Sequence, residues 1–308
     1  MTGGSRLHFC DRLAALVEER RSRVVLGLDP DPADLWPEAL ERFGTGGEGG
    51  RFARANTAEA VVEHCRAAIV AAGPACVAVK LQLACFERLG APGWEALEQI
   101  VAIVRDHGLL VIADGKRGDV PVTARAYAQA LVGETPGPFG PIAGLGADAF
   151  TANPLLGRDS LEPLVEAAAL AGAACFVLVR TSNPGAAGLQ DAGEPPLHER
   201  LARLVDELGA SRVGDCGLSL VGAVTGATQP AVLARLRELM PRAVFLLPGV
   251  GAQGGRVGEL GAAFASHPAA GLVTASRSIV NAHAERGGQP AAAAAEAAEE
   301  LRAAAWAL

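Results

Sequence analysis

Lysine is nearly missing from this chain: of 27 basic residues only Lys80 and Lys116 are lysines. Both follow apolar runs, where solubility cannot account for them. Arginine is a poor substitute wherever a cation must release and recover a proton, because its pKa is too high, whereas a lysine is tunable. Aromatics are scarce too, at 4%, so the apolar half of the composition is largely alanine, valine and leucine, which suits parallel strands under alanine-rich helices. No apolar run approaches membrane-spanning length, and the first five residues lead into a charged amphipathic segment rather than a secretory signal. A basic excess is also absent. The net charge of -7 argues against nucleic acid as a partner, and an anionic ligand would need local cations to hold it against the overall field. Cys10, Cys65, Cys76, Cys85, Cys175 and Cys216 include no Cys-x-x-Cys and no cluster with histidine, and the six histidines lack metal-ligand spacing. Neither a disulfide framework nor a zinc site is expected, and the simplest setting is a reducing cytoplasm.

What the chain does contain is an alternation. Residues 7–21 read as a leading amphipathic helix, and 24–28 as a first strand ended by Asp29-Pro30-Asp31-Pro32. Residues 33–56, with a glycine-rich centre, read as a loop insertion, and Thr57 as the N-cap of a helix over 58–72. Strands at 76–81, 109–113, 149–151, 174–179, 218–224, 243–247 and 271–275 then alternate with helices at 94–107, 120–132, 161–171, 197–208, 231–240, a weaker one at 254–265, and 279–286. The alanine-rich stretch 291–308 extends the last of these as a surface helix. Eight strands in one uninterrupted series favour an α/β fold of a single closed (β/α)₈ barrel over an open doubly wound sheet, with one domain over residues 1–308. No Gly-x-Gly-x-x-Gly follows the first strand, which removes the usual dinucleotide fingerprint.

The chain is organised around Ala113-Asp114-Gly115-Lys116-Arg117-Gly118-Asp119, at the end of the third apolar run. Residues two apart on a strand share a face, so Asp114 and Lys116 point the same way, and Asp119 can fold back toward them if the chain turns at Gly118. In such barrels the active site lies at the carboxyl ends of the strands. Those positions hold Asp29, Lys80, Asp114 and Lys116 on strands one to three, and Asn153, Thr181, Ser182 and Thr225 on strands four to six. Pro248-Gly249-Val250-Gly251-Ala252-Gln253 and Ser276-Arg277 follow strands seven and eight. There, backbone N–H groups, a helix N-terminus and Arg277 would suit a phosphate.

These residues resemble those of the orotidine 5'-phosphate decarboxylases in their longer bacterial form, along most of the chain. The matching stretches are Leu26-Gly-Leu-Asp29-Pro, Val79-Lys80, the Ala113–Asp119 segment, Thr151-Ala-Asn-Pro-Leu-Leu-Gly-Arg-Asp159, Thr181-Ser-Asn-Pro184, Leu247-Pro-Gly-Val-Gly251 and Thr274-Ala-Ser-Arg277. The resemblance implies a cofactor-free decarboxylation of orotidine 5'-phosphate to UMP and CO₂ in pyrimidine synthesis, without metal. It implies that Lys116 protonates C6, that Asp114 sits beside it, and that Asp119 is delivered into the neighbouring subunit's site of a homodimer. Lys80 and Asp29 match residues that contact the ribose, and Thr123 a threonine downstream of the core, although Val122 stands where many members have Asn. Ser182 is the expected pyrimidine contact and Arg277, with Gly249 and Gln253, the expected phosphate contact. Asn153 is a further binding candidate.

Two other readings compete with this one. One is a magnesium-dependent decarboxylase or aldolase of the same superfamily acting on a sugar phosphate, but those proteins carry a metal-binding glutamate where this chain has Lys80, which would repel Mg²⁺. The other is a barrel that binds a nucleotide without catalysis.

Overall fold

Eight short apolar runs become strands because each is buried on both faces, a setting that a parallel sheet covered by helices provides. In the computed structural model, which describes residues 7–41, 51–251 and 254–308, they are β1 (Val24–Leu28), β2 (Ala78–Gln82), β3 (Leu110–Arg117), β4 (Ala149–Ala152), β5 (Ala174–Arg180), β6 (Ser219–Thr225), β7 (Ala243–Leu247) and β8 (Gly271–Ala275). Neighbouring strands are parallel, and β1 pairs with both β2 and β8, so the sheet closes into the expected (β/α)₈ barrel. The register sets Gly27 opposite Lys80 and Gln82 opposite Asp114. Asp29, Lys80 and Asp114 therefore stand at one end of three adjacent strands.

The amino-terminal end of the barrel is covered by the helix Phe9–Arg20. Phe9 meets Phe176 edge to face at 6.0 Å, Cys10 Sγ donates to the Ser219 carbonyl at the start of β6, and Arg12 bonds Asp148 just before β4. The alanine-rich tail is the helix Pro290–Trp306, whose buried Ala294, Ala298 and Ala305 allow close packing. Arg23 lies between the rings of Phe264 and Trp306, at 4.4 and 5.0 Å. All six cysteines are free, and burial pushes the Cys76 and Cys175 thiols up to about 12, which makes them inert packing groups. No described helix is long and apolar enough to cross a membrane.

Several local expectations are corrected. Thr57 caps nothing: the helix begins at Arg51 and runs to Ala72, and the Thr57 hydroxyl donates back to the Ala53 carbonyl at 2.6 Å. Part of the 33–56 insertion is thus helical, and its described beginning is anchored by Trp36, whose indole N–H donates to the Val280 carbonyl at 3.0 Å. Residues 42–50 lie outside the described residues. The weaker helix at 254–265 is two 3₁₀ turns, Val257–Glu259 and Gly261–Phe264, in a glycine-rich stretch that cannot sustain an α-helix. The helix after β8 is broken into Arg277–Val280 and Ala282–Arg286.

Candidate active site

Strand register and the residues at the strand ends gather four charged side chains at the carboxyl-terminal rim. Lys80 Nζ donates to Asp114 Oδ2 at 2.8 Å and to Asp29 Oδ1 at 3.3 Å, and Lys116 Nζ donates to Asp114 Oδ1 at 2.7 Å. The order Asp29, Lys80, Asp114, Lys116 alternates in sign. It lines one side of a cavity of about 460 Å³, with Ser182, Gly249 and Arg277 on the other side. Burial by itself would push the Asp114 carboxyl up, but Lys80 and Lys116 outweigh it and hold the group well below the usual carboxylate range. Burial would likewise lower Lys80, yet Asp114 and Asp29 raise it above the ordinary lysine value. Both groups are therefore charged at neutral pH. The two lysines differ in access: the Lys80 side chain is 8% exposed and that of Lys116 43%.

Lys116 reaches Asp114 by an unexpected route. The strand does run past Asp114, as far as Arg117, but its pairing with β4 shifts register between Ala113 and Arg117, and Lys116 has φ +48°. A left-handed conformation costs a non-glycine residue roughly 1–2 kcal/mol, so the surrounding structure must hold it. Thr151 supplies that hold. Its Oγ1 accepts the Lys116 N–H at 2.9 Å and donates to Asp114 Oδ1 at 2.8 Å. Gln82 adds a longer bond to Asp114 Oδ2, at 3.3 Å. Period-two spacing points to Gln82, two residues after Lys80 on β2, whereas Thr151 lies within β4 and the candidate Asn153 lies just beyond its end.

The opposite side of the cavity has strand residues such as Leu178 and Thr274 at its base and the segments that follow the strands at its rim. Thr181, Ser182 and Asn183 follow β5, and Gln190, another unanticipated lining residue, closes the same segment. Gly249 has φ +101° after β7, and Ser276 and Arg277 follow β8. The helix at Arg277 has only four residues, so an anion here would be held by the guanidinium and loop N–H groups rather than by a helix dipole.

Not every candidate comes to the cavity. Asp119 does not fold back: it makes no bond to either lysine among the described residues, and its Oδ1 accepts the Val120 N–H at 2.7 Å. Thr123 is exposed on the helix Pro121–Leu131, away from the cavity lining. Asn153 spends its side-chain oxygen on the Leu155 N–H at 3.1 Å and closes a turn. Gln253 lies outside the described residues. No group of three His, Cys, Asp or Glu side chains suited to a metal ion occurs among the described residues.

The model of the orotidine 5'-phosphate decarboxylase / HUMPS family matches residues 22–299. The orotidine 5'-phosphate decarboxylase of Deinococcus radiodurans is 42% identical over 284 residues, which cover 92% of this chain and 91% of that protein. That of Rhodopirellula baltica is 40% identical over 277 residues, 89% of each. Among solved structures, the Leishmania donovani OMP decarboxylase superposes with a TM-score of 0.68 at 31% identity, covering 97% of this chain and 99% of that one.

Proposed function

The chain belongs to the orotidine 5'-phosphate decarboxylase family, and from that premise we propose that it converts orotidine 5'-phosphate to UMP and CO₂ with Lys116 as the proton donor. The family model also covers HUMPS proteins, but the named relatives above are orotidine 5'-phosphate decarboxylases. The observation that carries the assignment of Lys116 is its half-exposed side chain on the cavity wall, with the ammonium 2.7 Å from a buried carboxylate that is itself paired with a second, buried lysine.

The C6–carboxylate bond breaks with its electron pair left on C6, and CO₂ departs. No π-system receives that pair, so the catalyst must place positive charge where it appears. The Lys116 ammonium supports both needs: it stabilises the developing carbanion and then transfers an N–H proton to C6, leaving a neutral amine that solvent reprotonates. Asp114 keeps the ammonium in place, and its partner Lys80 keeps Asp114 ionised. Asp29, 38% exposed, and Lys80 are the groups suited to the ribose hydroxyls. Ser182 is suited to the polar edge of the base, and Arg277 with the Gly249–Gly251 backbone to the phosphate. No step calls for a cofactor, and the carboxylates nearest the reaction are already bonded to ammonium groups.

Asp119 and Thr123 fit this scheme as residues given to a second copy of the chain. The segment that carries them also exposes Val120 and Val122, 52% and 85% exposed, and the neighbouring turn exposes Leu155 at 73%. The two segments are adjacent, since the Asn153 N–H donates to the Arg117 carbonyl at 2.8 Å. Exposed aliphatic side chains clustered around a carboxylate suit a self-complementary interface. The reaction is tested by following the fall in absorbance as orotidine 5'-phosphate becomes UMP in EDTA-treated enzyme. Turnover supports the reading, and a requirement for added Mg²⁺ or a sugar phosphate overturns it.

A further inference from the structure

The segment after β5 is held in place by side chains that take no part in the reaction as written. It leaves the strand at Arg180 and returns through the short helix Ala186–Gln190. Arg180, only 6% exposed, donates from Nε to Asp191 Oδ1 at 2.7 Å and from Nη2 to Asp191 Oδ2 at 3.0 Å. Its Nη1 donates to the Thr181 carbonyl at 2.6 Å. Gln190 doubles the closure, with Oε1 accepting the Thr181 N–H at 2.8 Å and Nε2 donating to Thr181 Oγ1 at 2.9 Å. His198, buried on the following helix, lies 3.2 Å from Asp191 and 2.9 Å from the Gln190 carbonyl. The first and last residues of the segment are thus tied to each other, to a barrel strand and to a helix. Behind them, a β-carbon on Gly226 would stand 2.9 Å from both Cα and N of Ser182, closer than such contacts permit. The glycine leaves room for the Ser182 backbone to seat against β6.

We propose that Asp191 is a positioning residue: its paired bonds to Arg180 latch residues 181–190 so that Ser182 and Gln190 face the bound nucleotide, with Gly226 as the seat. The inference rests on the reading that this cavity holds orotidine 5'-phosphate, and it adds the part of the protein that sets affinity there. Swinging the segment away would leave a buried guanidinium without its counter-ion, which is strongly unfavourable. The segment is therefore ordered before substrate arrives, and binding is spared that cost. The hydrogen bonds from Arg180 also hold the Asp191 carboxyl below the usual carboxylate range, so the latch stays charged at neutral pH.

The test uses the full chain carrying Asp191→Asn, which keeps the shape and removes the charge. The KM for orotidine 5'-phosphate and the Kd for UMP should rise about tenfold while kcat stays within about threefold, the pattern of lost ground-state positioning. Amide hydrogen exchange across 181–191 should quicken, and Asp191→Glu should recover part of both effects. Gly226→Ala, which pushes on Ser182 from the other side, should raise KM without touching the ion pair. Wild-type KM and wild-type exchange in Asp191→Asn would overturn the proposal, as would a loss of thermal stability with KM unchanged. A wild-type enzyme that released no CO₂ from orotidine 5'-phosphate would defeat the functional reading alone, and the exchange measurement would still judge the latch.

Discussion

The two sides of the cavity rim are built by different means. On the β1–β3 side every charge sits on a strand or on the residue next to its end, and each finds a side-chain partner between 2.7 and 3.3 Å away. On the β5–β8 side the strands line the cavity floor with Leu178, Val224, Leu246 and Thr274, and the groups suited to the nucleotide, Ser182, Gly249 and Arg277, come from the segments after the strands. The first side is fixed by sheet register and needs no substrate to assemble it. The second depends on loops, which are held by ties such as Arg180–Asp191. Chemistry that requires preorganised charge belongs on the first side, and affinity on the second. Substitutions on the strand side should therefore lower kcat, and those on the loop side should raise KM.

The largest expected effect is from Lys116→Ala, which should cut kcat by at least ~10³-fold, the scale of a lost general acid combined with lost charge stabilisation. Calorimetric UMP binding should remain measurable. Next comes Asp114→Asn. It leaves Lys80, almost wholly buried, with Asp29 at 3.3 Å as its remaining counter-ion, and should cost about 3–5 kcal/mol in denaturant unfolding as well as most of the turnover. On the loop side Arg277→Ala should raise KM roughly 10- to 100-fold, or about 1.4 kcal/mol per decade, with kcat largely kept. An unchanged KM would remove Arg277 from the phosphate site and blur the division between the two sides. Thr151→Val, which deprives both Asp114 and the left-handed Lys116 of a partner, should cost about 1–3 kcal/mol of stability. It should lower kcat rather than raise KM.

The smallest effect is the pH dependence of stability. Asp114 is depressed on folding, so its contribution is complete above the ordinary carboxylate value of 3.8 and is lost as pH falls through the folded value. Lys80 is raised, so its contribution is complete below the ordinary lysine value of 10.5 and is lost as pH rises through the folded value. The stability difference between the wild-type protein and Asp114→Asn should accordingly be largest at neutral pH and shrink on both the acid and the alkaline side. A separate mixing experiment addresses the second copy. Inactive Lys116→Ala and inactive Asp119→Asn chains should regain activity when combined, because a mixed dimer contains one site with both native residues. No recovery would confine Asp119 to its own chain.

How much of this was legible in the sequence follows the same division. The barrel and the strand-borne charges could be read because apolar runs, their order and period-two spacing are local properties, as the pairing of Lys80 with Asp114 illustrates. Thr151 lies at the end of an apolar run, but its bonds to Lys116 and Asp114 depend on how β3 and β4 pair. The left-handed turn at Lys116 could not be read, since it arises from the β3–β4 register shift. Nor could the Arg180–Asp191 tie, which joins residues eleven apart through a fold that only the following helix completes. Thr57 misled because a threonine before an apolar run looks like a cap even when the helix has already begun. The bond from the Leu155 N–H to the Asn153 side-chain oxygen is likewise a property of the folded turn.

The proton-donor assignment can be isolated by replacing Lys116 with cysteine and then aminoethylating the thiol, which restores an ammonium at nearly the same distance. The expected result is an enzyme that binds UMP but is inactive before alkylation and recovers much of its turnover afterwards, while the wild-type enzyme treated in the same way is little changed. A Lys116→Cys enzyme that turns over near the wild-type rate before treatment would contradict the assignment, and so would one that stays inactive once the ammonium is back.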